Sequence, residues 1–256
     1  TWWNPPRQPP PSLRSIQGRK LAEWATIDII RRPTEAVAHG QVACFDMLDY
    51  FCPILGFNPT ETTFGKNRLM PTNHWSRAIE YPWALTNADL HGTETCLDVG
   101  GGNNPFQFAL AFNAHSVSNV DTDRKKLELA AKLPCMGLFK NVFLVHQDVL
   151  TLRPPQCGTF DRVFCISVLE HMPDPIKALR HLHDVLLAPG GRLLVTFDVC
   201  DDPCEDFPIG MDGAVAILEE LGLALPDPKD AFMHDAIKVG GKNRPLRVMM
   251  FYVDKE

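Results

Sequence analysis

The sequence predicts a doubly wound α/β fold, a mostly parallel sheet with helices on both faces, and three observations carry that prediction. Short β-branched runs alternate with helix-period patterns from about residue 93 onward. The run Cys96-Leu97-Asp98-Val99 leads into Gly100-Gly101-Gly102 and then into a helical pattern, a strand passing through a tight turn to a helix N-terminus. The composition, 45% hydrophobic and 22% charged over 256 residues, is that of a chain able to bury a sizeable core. Strands that alternate with helices need right-handed crossovers, and these cover both faces of the sheet.

The composition shift near residue 93 divides the chain into a Pro-rich arm plus helical cap or lid, residues 1–92, and a core, residues 93–256. Pro5, Pro6, Pro9, Pro10 and Pro11 exclude a helix or central strand at the start. Leu21, Trp24 and Ile27, then Val42, Phe45 and Leu48, recur at helical spacing between breaks at Pro33 and Pro53. Residues 58–92 read as irregular, though 68–83 is dense in aromatic and hydrogen-bonding side chains. In the core, strands are predicted at 95–99, 117–121, 142–145, 160–168, 192–199 and 246–253. Helices are predicted at 105–113, 123–132, from Pro175 with Asp174 as its cap, and at 213–221.

Net charge is −6, from 25 Lys and Arg against 31 Asp and Glu, which argues against a protein that coats nucleic acid or an anionic membrane. The eight cysteines form no C-x-x-C pair or zinc-type cluster, so neither a disulfide scaffold nor a metal site is expected. No apolar stretch approaches a membrane span, and the expected location is cytoplasmic.

Which ligand the glycine turn takes can be narrowed. A dinucleotide fingerprint from Gly100 would need Gly where Pro105 stands, and no Gly-Lys-Ser/Thr is present for a phosphate-binding loop. Asp98, two residues before the first glycine, would oppose a pyrophosphate but suits a ligand with positive charge. Asp121 ends the second core strand, 21 residues after Gly100, where a carboxylate can accept from both ribose hydroxyls. Asp148 follows the third strand and can accept from an adenine amino group. Asp121 as a helix cap and Asp148 as an exposed turn residue remain the plainer alternatives.

With these residues in place, the chain resembles the class I S-adenosylmethionine-dependent methyltransferases over about residues 93–200. The strongest piece is Phe160-Asp161-Arg162-Val163-Phe164-Cys165-Ile166-Ser167-Val168-Leu169-Glu170-His171-Met172, continuing to Pro189-Gly190-Gly191-Arg192-Leu193. The resemblance implies a Rossmann-like fold of about seven strands and S-adenosylmethionine as cofactor, with S-adenosylhomocysteine as product. It implies cofactor contacts from Asp98, Gly100, Gly102, Asp121, Thr122, Asp148, Val149 and Ile166. The family loop carries a third glycine where this chain has Asn104, followed by Pro105; Asn as a helix cap with Pro in the first helical position would make this a tolerated variant.

His171 falls at the ligand end of the sheet and could take a proton from an acceptor at neutral pH, or simply orient the loop. Glu170 could reach the cofactor side or fix the loop. His74, Arg77, Tyr81 and Trp83 are candidates to line a substrate-facing lid, though buried Trp and Tyr are equally core. The expected function is methyl transfer by in-line displacement to a small-molecule O- or N-nucleophile, with no nucleic acid or membrane partner; a homodimer, if formed, would use the N-terminal helices. Two rivals stay open: another alkyl transfer from the same donor, and a non-catalytic cofactor-binding or interaction subunit.

Overall fold

The computed structural model describes residues 25–27, 54–56, 76–205, 208–220, 232–239 and 242–256. Its sheet contains β1 (Ala25–Ile27), β2 (Thr95–Val99), β3 (Ser116–Asp121), β4 (Val142–His146), β5 (Phe160–Ile166), β6 (Leu187–Cys200), β7 (Phe232–Val239) and β8 (Lys242–Asp254). The main order is β1-β8-β6-β5-β2-β3-β4. Pairings β2–β3, β3–β4, β2–β5 and β5–β6 are parallel, and β8 is antiparallel to β6. Chain order runs outward in one direction from β2 and in the other from β5. The carboxyl ends of these two neighbours are therefore the topological switch point, where open α/β sheets bind ligands.

The longer helices are α1 (Arg77–Asn87), α2 (Phe106–Ala111), α3 (Arg124–Ala130), α4 (Pro175–Arg180), continued by a π-helical stretch His181–Leu186, and α5 (Met211–Glu220), with single turns at Lys132–Cys135 and Pro154–Cys157. Alternation along the strands sorts the core into two clusters. One takes Leu97, Val99, Val163, Cys165, Leu193 and Val195 with Leu179, Leu182 and Leu186; the other takes Cys96, Phe164, Ile166 and Leu194 with Tyr81, Trp83, Phe106 and Phe108. Because strand residues alternate faces, Asp98, Thr196 and Asp198 share the second face, the one that α1 and α2 cover.

Four expectations are corrected. Residues 25–27 form a strand paired antiparallel with 251–253, not part of a helix: Thr26 and Ile27 are β-branched, and the outer edge of β8 offers unpaired backbone groups. With β7 on the same outer side of β8, the described strands number eight, not about seven. Residues 77–87, read as irregular, form α1 around Pro82; that proline removes one backbone donor, but Tyr81, Trp83 and Ala84 bury a face that offsets the loss. Asn104 does not cap α2. Its N–H bonds Gly101 O at 2.9 Å, Pro105 is the cap residue, and the side chain of Gln107 reaches back to the turn instead. Asp123 and Asp174 do cap α3 and α4, through bonds to Lys125 and Lys126 N–H and to Lys177 N–H. The helical cap expected from residues 13–57 lies outside the described residues apart from 25–27 and 54–56. Among the described residues no helix is long and apolar enough to cross a membrane.

Candidate active site

The glycine turn leaves β2 at the switch point, and each glycine is there for a steric reason. Gly100 has φ +65°, and a Cβ on it would stand 2.7 Å from Val168 Cγ2. A Cβ on Gly101 would lie 2.2 Å from Asp98 Oδ2 and 2.8 Å from Asn119 Oδ1. Gly102, at φ +52°, faces Lys126 and Asp121 Oδ2. Beneath the turn, buried Asn119 donates to Gly102 O (2.8 Å) and Gln107 Oε1 (2.9 Å), while Gln107 donates to Gly102 O and Asn104 O. Neutral amides thus hold the turn from one side, with Asp98 as the one acid beneath it. Asn103 ties it to the 54–56 segment through Leu55 O.

Asp98 is 2% exposed, and its Oδ2 has no hydrogen-bond partner. Burial, reinforced by the charge of Asp121, pushes its pKa up to about 8. Asp121 ends β3; its Oδ1 accepts from Asp123 N–H at 2.7 Å, which fixes the carboxylate and leaves Oδ2 toward Gly102. Thr122 is exposed beside it, with His146 Nε2 3.1 Å from its carbonyl. Asp148 follows β4 and accepts from Leu150 N–H, capping a 3-10 turn whose first residue, Val149, is buried. Ile166 closes β5 in the α1-side cluster. The strand ends therefore place Asp98, Asp121 and Asp148 along one rim, beside the turn.

The β5 and β6 ends are built differently. Arg77 and Glu80, both on α1, form a buried ion pair, and Arg77 also donates to Ser167 Oγ and Ser76 Oγ. Glu80 accepts from Ser167 Oγ at 2.6 Å and from Thr196 Oγ1. Burial alone would raise the Glu80 pKa, but Arg77 and these hydroxyls outweigh it and hold it below the usual range. Ser167 itself has φ +48°, a conformation rare outside glycine, and its N–H bonds Thr196 Oγ1 and Thr196 O. Past it, Glu170 turns inward and is 3% exposed, while its neighbour His171 is exposed on the same short turn, Leu169–His171.

Of the lid candidates, Arg77 is locked into this ion network. Tyr81 stacks on Phe106 with centroids 4.7 Å apart, and Trp83 is 3% exposed in the core; their aromatic surface serves packing. His74 lies outside the described residues. Sequence reasoning missed Asn119, Gln107, Glu80, Ser167, Thr196 and Asp198. Asn119 carried a usable signal, since it is a polar residue in the middle of a buried strand.

Residues 97–195 match the model of a methyltransferase domain family. The ubiquinone biosynthesis O-methyltransferase of Vibrio parahaemolyticus is 25% identical over 146 residues, covering 57% of this chain and 60% of that protein. Its counterpart in Pseudomonas paraeruginosa is 31% identical over 125 residues, 48% of this chain and 52% of that one. The chain thus spans about half to three fifths of the length of these curated relatives. A crystal structure titled a putative methyltransferase from Bacillus halodurans superposes with TM-score 0.52 at 16% identity, over 69% of this chain and 99% of that one. Residues 97–195 thus match a methyltransferase domain, and the sheet around them, with its switch-point glycine turn, has the Rossmann-like arrangement of the superposed structure.

Proposed function

We propose that the chain transfers a methyl group from S-adenosylmethionine to an O- or N-nucleophile of a small-molecule acceptor. The observation that supports this is the glycine turn at the switch point, with acids at or just past the carboxyl ends of the adjoining strands β2, β3 and β4. Two features support the fit to the cofactor: Gly100, Gly101 and Gly102 let the turn pack directly on Val168, Asp98 and Lys126 with bare backbone, and Asp98 Oδ2 is a buried acceptor without a donor among the described residues.

In this reading Gly100 and Gly102 let backbone approach the amino-acid portion, and Asp98 supplies negative charge behind it. Asp121 and Thr122 hold the ribose hydroxyls, Asp148 accepts from the adenine amino group, and Val149 and Ile166 flank the apolar parts. When bound, S-adenosylmethionine supplies a methyl already activated by its sulfonium. The chain then has mainly to orient and desolvate, for which effective molarities of about 10⁵–10⁸ M are attainable. His171, exposed at the rim, takes the proton of a hydroxyl or ammonium acceptor, worth about 10²–10⁴-fold when a base is required. A hydroxyl acceptor is the first to try, since the curated relatives are named O-methyltransferases.

Calorimetric titration with S-adenosylhomocysteine tests it. One site per chain is expected, with affinity falling at least about tenfold in Asp121→Ala, as for loss of a charge-assisted hydrogen bond. A folded wild type that shows no binding would remove the enzyme reading.

A further inference from the structure

Two acids at the ends of β5 and β6 have no part in the donor half of the site. Glu170, on the turn after β5, is 3% exposed, and Asp198, near the end of β6, is 7% exposed. Glu170 Oε1 accepts from Asp198 N–H at 3.3 Å, so the two residues are neighbours. Glu170 Oε2 and Asp198 Oδ1 are buried without a hydrogen-bond partner among the described residues. Buried acceptors are nearly always satisfied, and two orphans on adjacent carboxyls mark a place built for a donor. Among the described residues the cation whose charge reaches Asp198, Arg77, is engaged by Glu80, Ser167 and Ser76.

The position is anchored to the donor side. Val168, two residues before Glu170, packs against Gly100 so closely that a Cβ there would collide with it. Asp198 shares its sheet face with Asp98 and Thr196, under α1. Both carboxyls are pushed above the ordinary range, chiefly by burial; the charge of Asp198 adds to the shift of Glu170, and that of Glu80 to the shift of Asp198, which reaches about 7 against the pull of Arg77. A neutral hydroxyl offers such a pair one donor and nothing that holds its ionised form. An ammonium offers up to three N–H donors and cancels charge as well.

We propose that the Glu170–Asp198 pair is an acceptor-recognition subsite and that the acceptor carries a primary or secondary ammonium group seated against these carboxyls. The proposal rests on the methyltransferase reading and concerns recognition; the atom methylated need not be the ammonium nitrogen.

The test uses the full chain saturated with S-adenosylhomocysteine and two probes matched in size, 2-phenylethylamine and 2-phenylethanol, followed by ligand-observed NMR and calorimetry. The amine is expected to bind at least about tenfold tighter than the alcohol. That preference disappears in Asp198→Asn and Glu170→Gln, isosteric changes that leave S-adenosylhomocysteine affinity and the circular dichroism spectrum unchanged. Wild-type amine binding also releases a proton from the pair, so its heat varies with the ionisation enthalpy of the buffer, a readout that needs no variant. Equal affinity for the alcohol, no binding of either probe, a preference that survives both substitutions, or a heat independent of buffer each overturns the proposal. Loss of S-adenosylhomocysteine affinity in the variants overturns it too, by assigning the pair to the donor's own ammonium. Failure of the wild type to bind S-adenosylhomocysteine at all sinks the methyltransferase reading instead, and is seen before any amine is added.

Discussion

The two halves of the site solve the same problem, holding polar groups at the ends of buried strands, with opposite materials. On the β2–β3–β4 side the turn is carried by glycines and neutral amides, and Asp121 and Asp148 stay partly or fully in water, each steadied by one nearby backbone N–H. On the β5–β6 side Glu80, Glu170 and Asp198 are taken out of water, Arg77 is largely so, and the Arg77–Glu80 pair leans on Ser167 and Thr196. The first half buries a single unpartnered acid, Asp98, and gains close backbone approach. The second commits several charges to low dielectric, where removing one strands the rest.

The largest effect should come from breaking the second half. Glu80→Ala leaves Arg77 buried without its counter-charge and two hydroxyls without their acceptor, and is expected to cost about 3–5 kcal/mol in urea denaturation. Removing both charges together, Arg77→Met with Glu80→Leu, should cost less than Glu80→Ala alone, because no charge is left behind. If the double variant is the less stable one, the ion pair itself is the stabilising element and the contrast between the halves is wrong. In the first half, Gly101→Ala forces a Cβ against Asp98 and Asn119, and about 1–3 kcal/mol is expected, with S-adenosylhomocysteine affinity falling alongside. A stability change without an affinity change would detach the turn from ligand binding.

The pH dependence sharpens the same comparison. Asp98 is raised to about 8 and Asp198 to about 7, with Glu170 shifted in the same direction. Each binds its proton more tightly folded than unfolded, so between about pH 4 and pH 8 the folded state holds more protons and stability falls as pH rises. A loss of several kcal/mol from about pH 5 to pH 8 is expected in thermal melts of the free protein. Asp198→Asn should flatten the curve. Glu80 acts in the opposite sense: its pKa is lowered, so its contribution is intact above the ordinary carboxylate range and is lost only as pH falls below it. The smallest effect belongs to the exposed Arg124–Glu128 pair, where Glu128→Ala should change stability by less than about 0.5 kcal/mol.

The halves also differ in how much of them the sequence disclosed. The parallel frame, the turn and its strand-end acids were legible because each is local: a β-branched run, glycines, an acid one residue past a strand. Even there the amides were not, since nothing near Asn119 in sequence announces that it reaches Gly102 and Gln107. The second half joins residues 77–80, 167–170 and 196–198, three segments that no periodicity links. Glu80 sat in a stretch read as irregular because Pro82 disguised a helix. Glu170 was noticed through resemblance, but that it turns inward while His171 faces water follows from the conformation of one short turn.

The pairing of β8 with β6 bears on how the chain is made. Residues 192–200 of β6 bond to 254–246 of β8, and Lys255 donates to the carbonyls of His183, Asp184 and Leu187 at the end of the π-helical stretch. During synthesis the parallel frame through β6 leaves the ribosome well before β8 does. Over that interval β6 presents a long, apolar, unpaired edge, the kind of surface that recruits strands from other chains. Yield in a cell should therefore respond to translation speed across residues 200–246 and to holding chaperones, even for substitutions that leave the finished fold untouched.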